Sequence, residues 1–197
     1  MPVFNEMNNN GKIDSNSPEA TFEHGKNTAV WLPLPLVLLS GQLGAGKTIW
    51  TKGFARGLNL SSEVYSPSYT IMNVYTENEK VLYHFDLYRI DSIEEVFDTG
   101  FFEIIESGKP CVVEWADRVP RLSGLKHLRV TINSGDNISS TDGVDTRNTP
   151  GWRAFSGISS TDGVDTRNTP GWRAFSGMPG GSSDLRTIAW ELKEHGD

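Results

Sequence analysis

The sequence has a single cysteine, Cys111, in 197 residues, so an internal disulfide is excluded and a reducing compartment is expected. Histidine is also sparse: His24, His84, His127 and His195 show no metal-ligand spacing, which excludes a zinc site built on histidine and cysteine. No long hydrophobic run exists. The longest, Trp31 to Leu39, is broken by Pro33 and Pro35 and falls far short of the ~20 residues a membrane span needs. Positive charge is in deficit, 18 Lys plus Arg against 25 Asp plus Glu for a net charge of -7, which argues against gripping a nucleic-acid backbone by bulk charge. Any dealing with nucleic acid is therefore expected to be indirect. A basic stretch followed by an apolar run, the mark of a secretory leader, is missing where Asn8, Asn9 and Asn10 stand, and the chain reads as cytosolic.

What is present begins as a polar, Asn-rich stretch, residues 1–16, read as a flexible lead without function. Ser17 before Pro18 and Glu19 forms a helix start, and a helix of weak apolar pattern is expected to run to about Trp31. Leu36 to Leu39 read as a buried parallel strand that ends in Ser40 and a glycine-rich turn. From Lys47 the period becomes helical, with Trp50, Phe54 and Leu58 on one face and Gly53 and Gly57 on a neighbouring face where a sheet would approach. Tyr69 to Tyr75 and Val81 to Phe85 read as a hairpin. Ser92 and Glu95 make a capping box for a helix over about Ile93 to Thr99 that stops at Gly100. Cys111 to Val113 form a further buried strand delivering Glu114, and His127 to Asn133 alternate as another.

Residues 138 to 157 recur identically as 158 to 177, a tandem duplication rich in Ser, Thr, Gly and Asn. Two copies fall short of the three or so a solenoid requires, so the segment reads as a long surface loop or tail, with a partner-docking tail as the alternative. The stretch Asp184 to Glu194 suits a short helix or a strand equally. The expected divisions are a lead over 1–16, a domain over 17–135, the duplicated low-order segment over 136–181 and a C-terminal element over 182–197.

The chemistry centres on Gly41-Gln42-Leu43-Gly44-Ala45-Gly46-Lys47-Thr48, two glycines five apart followed by Lys and Thr. Such a loop turns backbone N–H groups inward around an anion. The following helix adds its positive end, the lysine reaches phosphate oxygens, and the threonine hydroxyl can ligate Mg²⁺. Lys47 is expected to be exposed in this loop, packed against nothing in the core. An acid at a neighbouring strand end must hold the metal or its water; Glu114 is the first candidate and Asp86 the second. Ser66-Pro67-Ser68-Tyr69-Thr70 places hydroxyls on a stiff turn, which is either a nucleotide-sensing switch or an ordinary proline turn.

Taken in order and spacing, Gly41 to Thr48, Ser66 to Thr70, His84-Phe-Asp-Leu-Tyr-Arg-Ile90 and Val113-Glu-Trp-Ala-Asp117 resemble the TsaE (YjeE) family. The likeness covers about Ser17 to Asn133. The resemblance implies an α/β, P-loop NTPase-like three-layer sandwich with a mostly parallel central sheet flanked by helices, to which the flexible duplicated segment is appended. It also implies ATP and Mg²⁺ as ligands. The implied function is a cytoplasmic P-loop ATPase of weak intrinsic turnover, required with the TsaD and TsaB proteins for threonylcarbamoyl modification of the adenosine adjacent to the anticodon in tRNAs. It would touch tRNA only indirectly, and no membrane. Carried over, residues Gly41 to Thr48 would bind the nucleotide, with Lys47 on its phosphates and Thr48 and Glu114 on the magnesium. Asp86 would act in hydrolysis or switching, Thr70 would sit near the γ-phosphate and Trp115 near the nucleotide. Ile49 and Trp50 depart from the family's usual second threonine and aliphatic residue, a change of packing beneath the loop. The rival readings are a nucleotide-gated interaction module without significant turnover and a small-molecule P-loop kinase.

Overall fold

A computed structural model describes residues 9–32, 34–90, 92–134 and 185–194; the duplicated segment lies outside the described residues. The elements are β1 (Asn10–Ser15), α1 (Pro18–Trp31), β2 (Leu36–Ser40), α2 (Lys47–Gly57), β3 (Met72–Glu77), β4 (Lys80–Asp86), α3 (Ile93–Phe97), α4 (Phe101–Glu106), β5 (Cys111–Glu114), β6 (His127–Ser134) and β7 (Arg186–Lys193), with 3₁₀ turns at Ala116–Arg118 and Pro120–Gly124. They build a mixed α/β sheet in the order β1-β7-β6-β2-β5-β4-β3. The expected parallel arrangement holds at the centre only. Strands β6, β2, β5 and β4 run parallel, whereas β3, β7 and β1 join antiparallel at the two sides. Hairpin partners close in sequence, such as β3 and β4, need no crossover and so pair antiparallel.

The sheet separates two hydrophobic clusters by strict alternation. Val37, Leu39 and Val112 face α1 and α2, packing with Trp50 and Phe54, while Leu36, Leu38, Cys111 and Val113 face α3, α4 and the 3₁₀ turns, packing with Val96, Phe101 and Leu122. Cys111 is fully buried there, which pushes its thiol pKa up and leaves it a core residue.

Helix α1 starts as expected, with the Ser17 hydroxyl accepting from the Ala20 amide at 3.2 Å. Its buried face is Thr21, His24, Gly25 and Thr28, a helical period carried by small and polar residues. That face meets α2 at backbone distance: a Cβ on Gly53 would stand 1.9 Å from the Phe22 carbonyl oxygen, and one on Gly25 2.1 Å from that of Trp50. The glycines of α2 therefore admit a helix, not the sheet anticipated from their spacing. Trp50, one of the two departures after Thr48, is fully buried at this crossing, stacked on Phe54 at 5.3 Å and donating from its indole to His24 Nδ1 at 2.8 Å.

Three further elements differ from expectation. Residues 10–15, anticipated within a flexible lead, form β1 against β7; the strand is polar and half exposed, so no apolar alternation marks it, and it is held by its ladder and by the Trp190 indole lying over Gly11. The helix after Ser92 ends at Phe97 with Asp98 as its C-cap, short of the expected Thr99, and Gly100, at positive φ, is the N-cap of a second short helix, α4, whose six residues are too few to show a period. The undecided C-terminal stretch is a strand, β7, aligned along the whole of β6 from His127↔Lys193 to Ser134↔Arg186. The strand that completes the sheet thus lies beyond the duplication.

Candidate functional site

Strand β2 delivers the chain to Gly41, and α2 begins at Lys47 with Gly46 as its N-cap. Gly46 has φ 107°, the left-handed region, and no side chain caps the helix. The first amides of α2 therefore point at the loop with no capping acceptor, and the helix's positive end faces the same way. Gln42 reaches across the loop and donates its amide to the Ser134 hydroxyl at the end of β6. From β7, Arg186 brings its Nε to 3.6 Å from the point where a Gly46 Cβ would stand.

Lys47 is not exposed as expected. It is buried, 5% exposed, because its chain turns back into the loop: the ammonium donates to the Gly41 carbonyl at 2.6 Å and the Gln42 carbonyl at 2.9 Å, and lies 3.6 Å from the centre of the Trp115 ring. Burial lowers its pKa, and the nearby carboxylates of Glu114, Asp117 and Asp86 oppose that shift. Trp115 reaches this position by taking φ 60° directly after β5, a left-handed backbone unusual for a bulky residue.

The register places Asp86 beside Glu114, and His84 beside Val112, on neighbouring parallel strands. Alternation then sets His84, Asp86 and Glu114 on one face of the sheet, the face covered by α2. Glu114 is 2% exposed, and three side chains hold its carboxylate: Thr48 Oγ1 donates to Oε2 at 3.0 Å, Thr51 Oγ1 lies 3.2 Å from Oε1, and His84 Nε2 lies 2.8 Å from Oε1. Asp86 is 3% exposed. Its Oδ2 accepts from the hydroxyls of Ser66 and Ser68, each at 2.5 Å, and its Oδ1 from the Tyr88 amide at 2.9 Å. The serine-proline turn is thereby tied to the end of β4. Thr70, at the same turn, is exposed, and its hydroxyl donates to Asn73 Oδ1 at 3.3 Å.

The structure thus brings Lys47, Thr48, Glu114 and Trp115 together and sets Asp86 beside them, with the Thr70 hydroxyl turned to Asn73. Thr51 and His84 were given no role from sequence. Both had a signal: Thr51 lies one helical turn after Thr48, and His84 two strand positions before Asp86.

A hydroxyl and a carboxylate 3.0 Å apart form a hard oxygen donor set, suited to Mg²⁺ and not to a soft metal. No group of three or more His, Cys, Asp and Glu able to hold a metal ion occurs among the described residues. A divalent ion at Thr48 and Glu114 would have to complete its shell with water and phosphate oxygens, the usual habit of Mg²⁺ beside a nucleotide. The residues fit that group. No helix among the described residues is long and apolar enough to cross a membrane.

Comparison with known proteins gives one consistent family. A profile of the family described as "Threonylcarbamoyl adenosine biosynthesis protein TsaE" matches residues 15–141. A Treponema pallidum protein named "tRNA threonylcarbamoyladenosine biosynthesis protein TsaE" is 43% identical over 98 residues, 50% of this chain and 70% of that protein. A Bacillus subtilis protein of the same name is 38% identical over 122 residues, 61% of this chain and 76% of that protein. In three dimensions the chain is similar to a crystal structure of Bacillus subtilis YdiB, with a TM-score of 0.55 and 25% identity over 95% of this chain and 88% of that one.

Proposed function

The chain belongs to the TsaE family and has a role in tRNA threonylcarbamoyladenosine biosynthesis, and from that premise we propose that it serves there as a P-loop ATPase. The observation that carries the reading is the uncapped start of α2 with Lys47 and the Thr48–Glu114 pair beside it. The amides of residues 41–48 hold the phosphates of ATP, since helix-start N–H groups and glycine-loop amides favour an anion over water. Lys47 leaves the Gly41 and Gln42 carbonyls and turns its ammonium to those phosphates, keeping its charge buried but exchanging neutral acceptors for anionic ones.

Thr48 and Glu114 hold Mg²⁺, which when bound neutralises phosphate charge. Asp86 positions the attacking water, or couples the 66–70 turn to the nucleotide, its carboxylate being fixed by two serines and an amide. Trp115 walls the site over Lys47. The proposed partners are the TsaD and TsaB proteins, the proposed contact with tRNA is indirect, and the proposed compartment is the cytoplasm.

The test is phosphate release at saturating ATP, alone and with TsaD and TsaB, subtracting the signal of Lys47→Ala. Slow release that rises at least about tenfold with the partners is expected, a barrier change of ~1.4 kcal/mol. Turnover of tens per second alone, indifferent to both proteins, would refute the gated cycle. Release without any added acceptor distinguishes this ATPase from a kinase. A second reading, a nucleotide-gated module without turnover, draws support from Lys47 resting on its own loop; nucleotide-dependent partner binding with no phosphate release would favour it.

A further inference from the structure

Glu114 carries two oxygens with different neighbours. Oε2 faces the Thr48 hydroxyl, whereas Oε1 faces His84 Nε2 at 2.8 Å and Thr51 Oγ1 at 3.2 Å. The Thr51 hydroxyl also lies 3.0 Å from the Lys47 carbonyl, its own helix's acceptor one turn back. One hydroxyl has one proton, and the carbonyl contact is the shorter of the two. The donor committed to Oε1 is therefore the imidazole.

His84 is fully buried on β4, and its other nitrogen, Nδ1, has no hydrogen-bond partner. A buried ring nitrogen left bare costs free energy, and the arrangement is consistent only with the proton on Nε2, directed at the carboxylate. Among the described residues, His84 is the one β4 side chain hydrogen-bonded to the Glu114 carboxylate.

We propose that His84 is a positioning residue that turns the Glu114 carboxylate so that Oε1 is occupied from β4 and Oε2 is presented to Thr48 and the divalent cation. The inference rests on the reading of Thr48 and Glu114 as the cation pair. Outer partners of metal-ligating groups characteristically change metal affinity by 10- to 100-fold when removed.

The experiment titrates Mg²⁺ against binding of mant-ATP, a fluorescent ATP analogue. For His84→Met the Mg²⁺ midpoint should rise about tenfold, with mant-ATP binding in EDTA unchanged. His84→Gln, whose amide nitrogen reaches the place of Nε2, should stay within about threefold of the parent. His84→Met combined with Glu114→Gln should be no weaker than Glu114→Gln alone, because both remove one interaction. A general loosening of the core would lower the melting temperature without moving the midpoint of the folded protein. An unchanged midpoint in His84→Met, with Glu114→Gln still raising it, overturns this inference alone. A parent whose mant-ATP binding ignores Mg²⁺ overturns the cation pair and this inference with it. Should His84→Met fail to fold, ¹⁵N NMR of the parent imidazole decides: a protonated Nε2 with bare Nδ1 supports the assignment, and the opposite tautomer refutes it.

Discussion

Acidification should destabilise this protein through His24. His24 is 8% exposed at the α1–α2 crossing; its Nδ1 accepts from the Trp50 indole at 2.8 Å, and its Nε2 is buried with no hydrogen-bond partner. A second proton would have to enter at Nδ1, opposing the indole N–H, and the resulting charge would sit between Trp50 and Trp190. Desolvation accordingly lowers its pKa from 6.5 to about 4. The sign follows: between those values the unfolded chain binds a proton that the folded chain refuses, so stability falls as pH drops below 6.5 and levels off below about 4. At 1.36 kcal/mol per pKa unit the full loss is about 3 kcal/mol, of which about 2 kcal/mol is gone by pH 5. Urea unfolding followed by far-UV circular dichroism at pH 7.5, 6, 5 and 4.5, on the parent and on His24→Gln, isolates this contribution, since every other titrating group is common to both. Glutamine offers the indole an acceptor without a titratable nitrogen. The parent should lose about 2 kcal/mol more than the variant between pH 7.5 and 5. Parallel curves would refute the argument that burial keeps His24 neutral.

Further outcomes are expected. Lys47→Ala should abolish tight ATP binding or turnover while shifting the melting temperature little, because the ammonium's partners are two part-buried loop carbonyls and no ion pair among the described residues is lost; unchanged hydrolysis would remove the phosphate-loop assignment. Glu114→Gln should weaken the Mg²⁺ dependence and turnover, whereas Asp86→Asn should reduce kcat more than nucleotide affinity, and kinetics indistinguishable from the parent in both would remove their roles. Gly53→Ala should destabilise by about 3 kcal/mol or more, at or above the top of the range for overpacking, since the obstacle is the Phe22 backbone and not a movable side chain; a melting temperature unchanged within error would contradict the crossing. Deleting residues 158–177 should alter stability by only about 0.4 kcal/mol through loop closure and leave mant-ATP binding intact, and a large fall in melting temperature would count against a loop reading.

The glycine loop, the acids and the central strands were legible because each has a strong local signature: fixed spacing for residues 41–48, and short apolar runs ending in a polar residue for β2 and β5. What escaped was written in other terms. The α1–α2 crossing is encoded by Gly25, Gly53, Thr21 and Thr28, whose smallness rather than hydrophobicity permits contact. β1 is a polar edge strand, and its assignment depends on β7, more than 170 positions away in the pairing Ser15↔Arg186. The burial of Lys47 was invisible because the acceptors that draw it inward are backbone carbonyls, which every residue has. Thr51 and His84 acquire meaning only when α2, β4 and β5 converge on Glu114.

The place of β7 has a consequence for how the molecule is made. Once residue 134 has left the ribosome, β2, β4, β5 and β6 have all their central partners, but β1 has none, since its ladder is to β7. The ribosome must still read through the whole tandem duplication, and at 5–20 residues per second that takes roughly 3 to 12 s before residue 193 emerges. Throughout that interval β6 is without its β7 partner, and an unpaired strand edge is a template for pairing with another chain. The length of the duplication thus sets how long β6 waits for β7 during synthesis. Its length will be felt first in soluble yield.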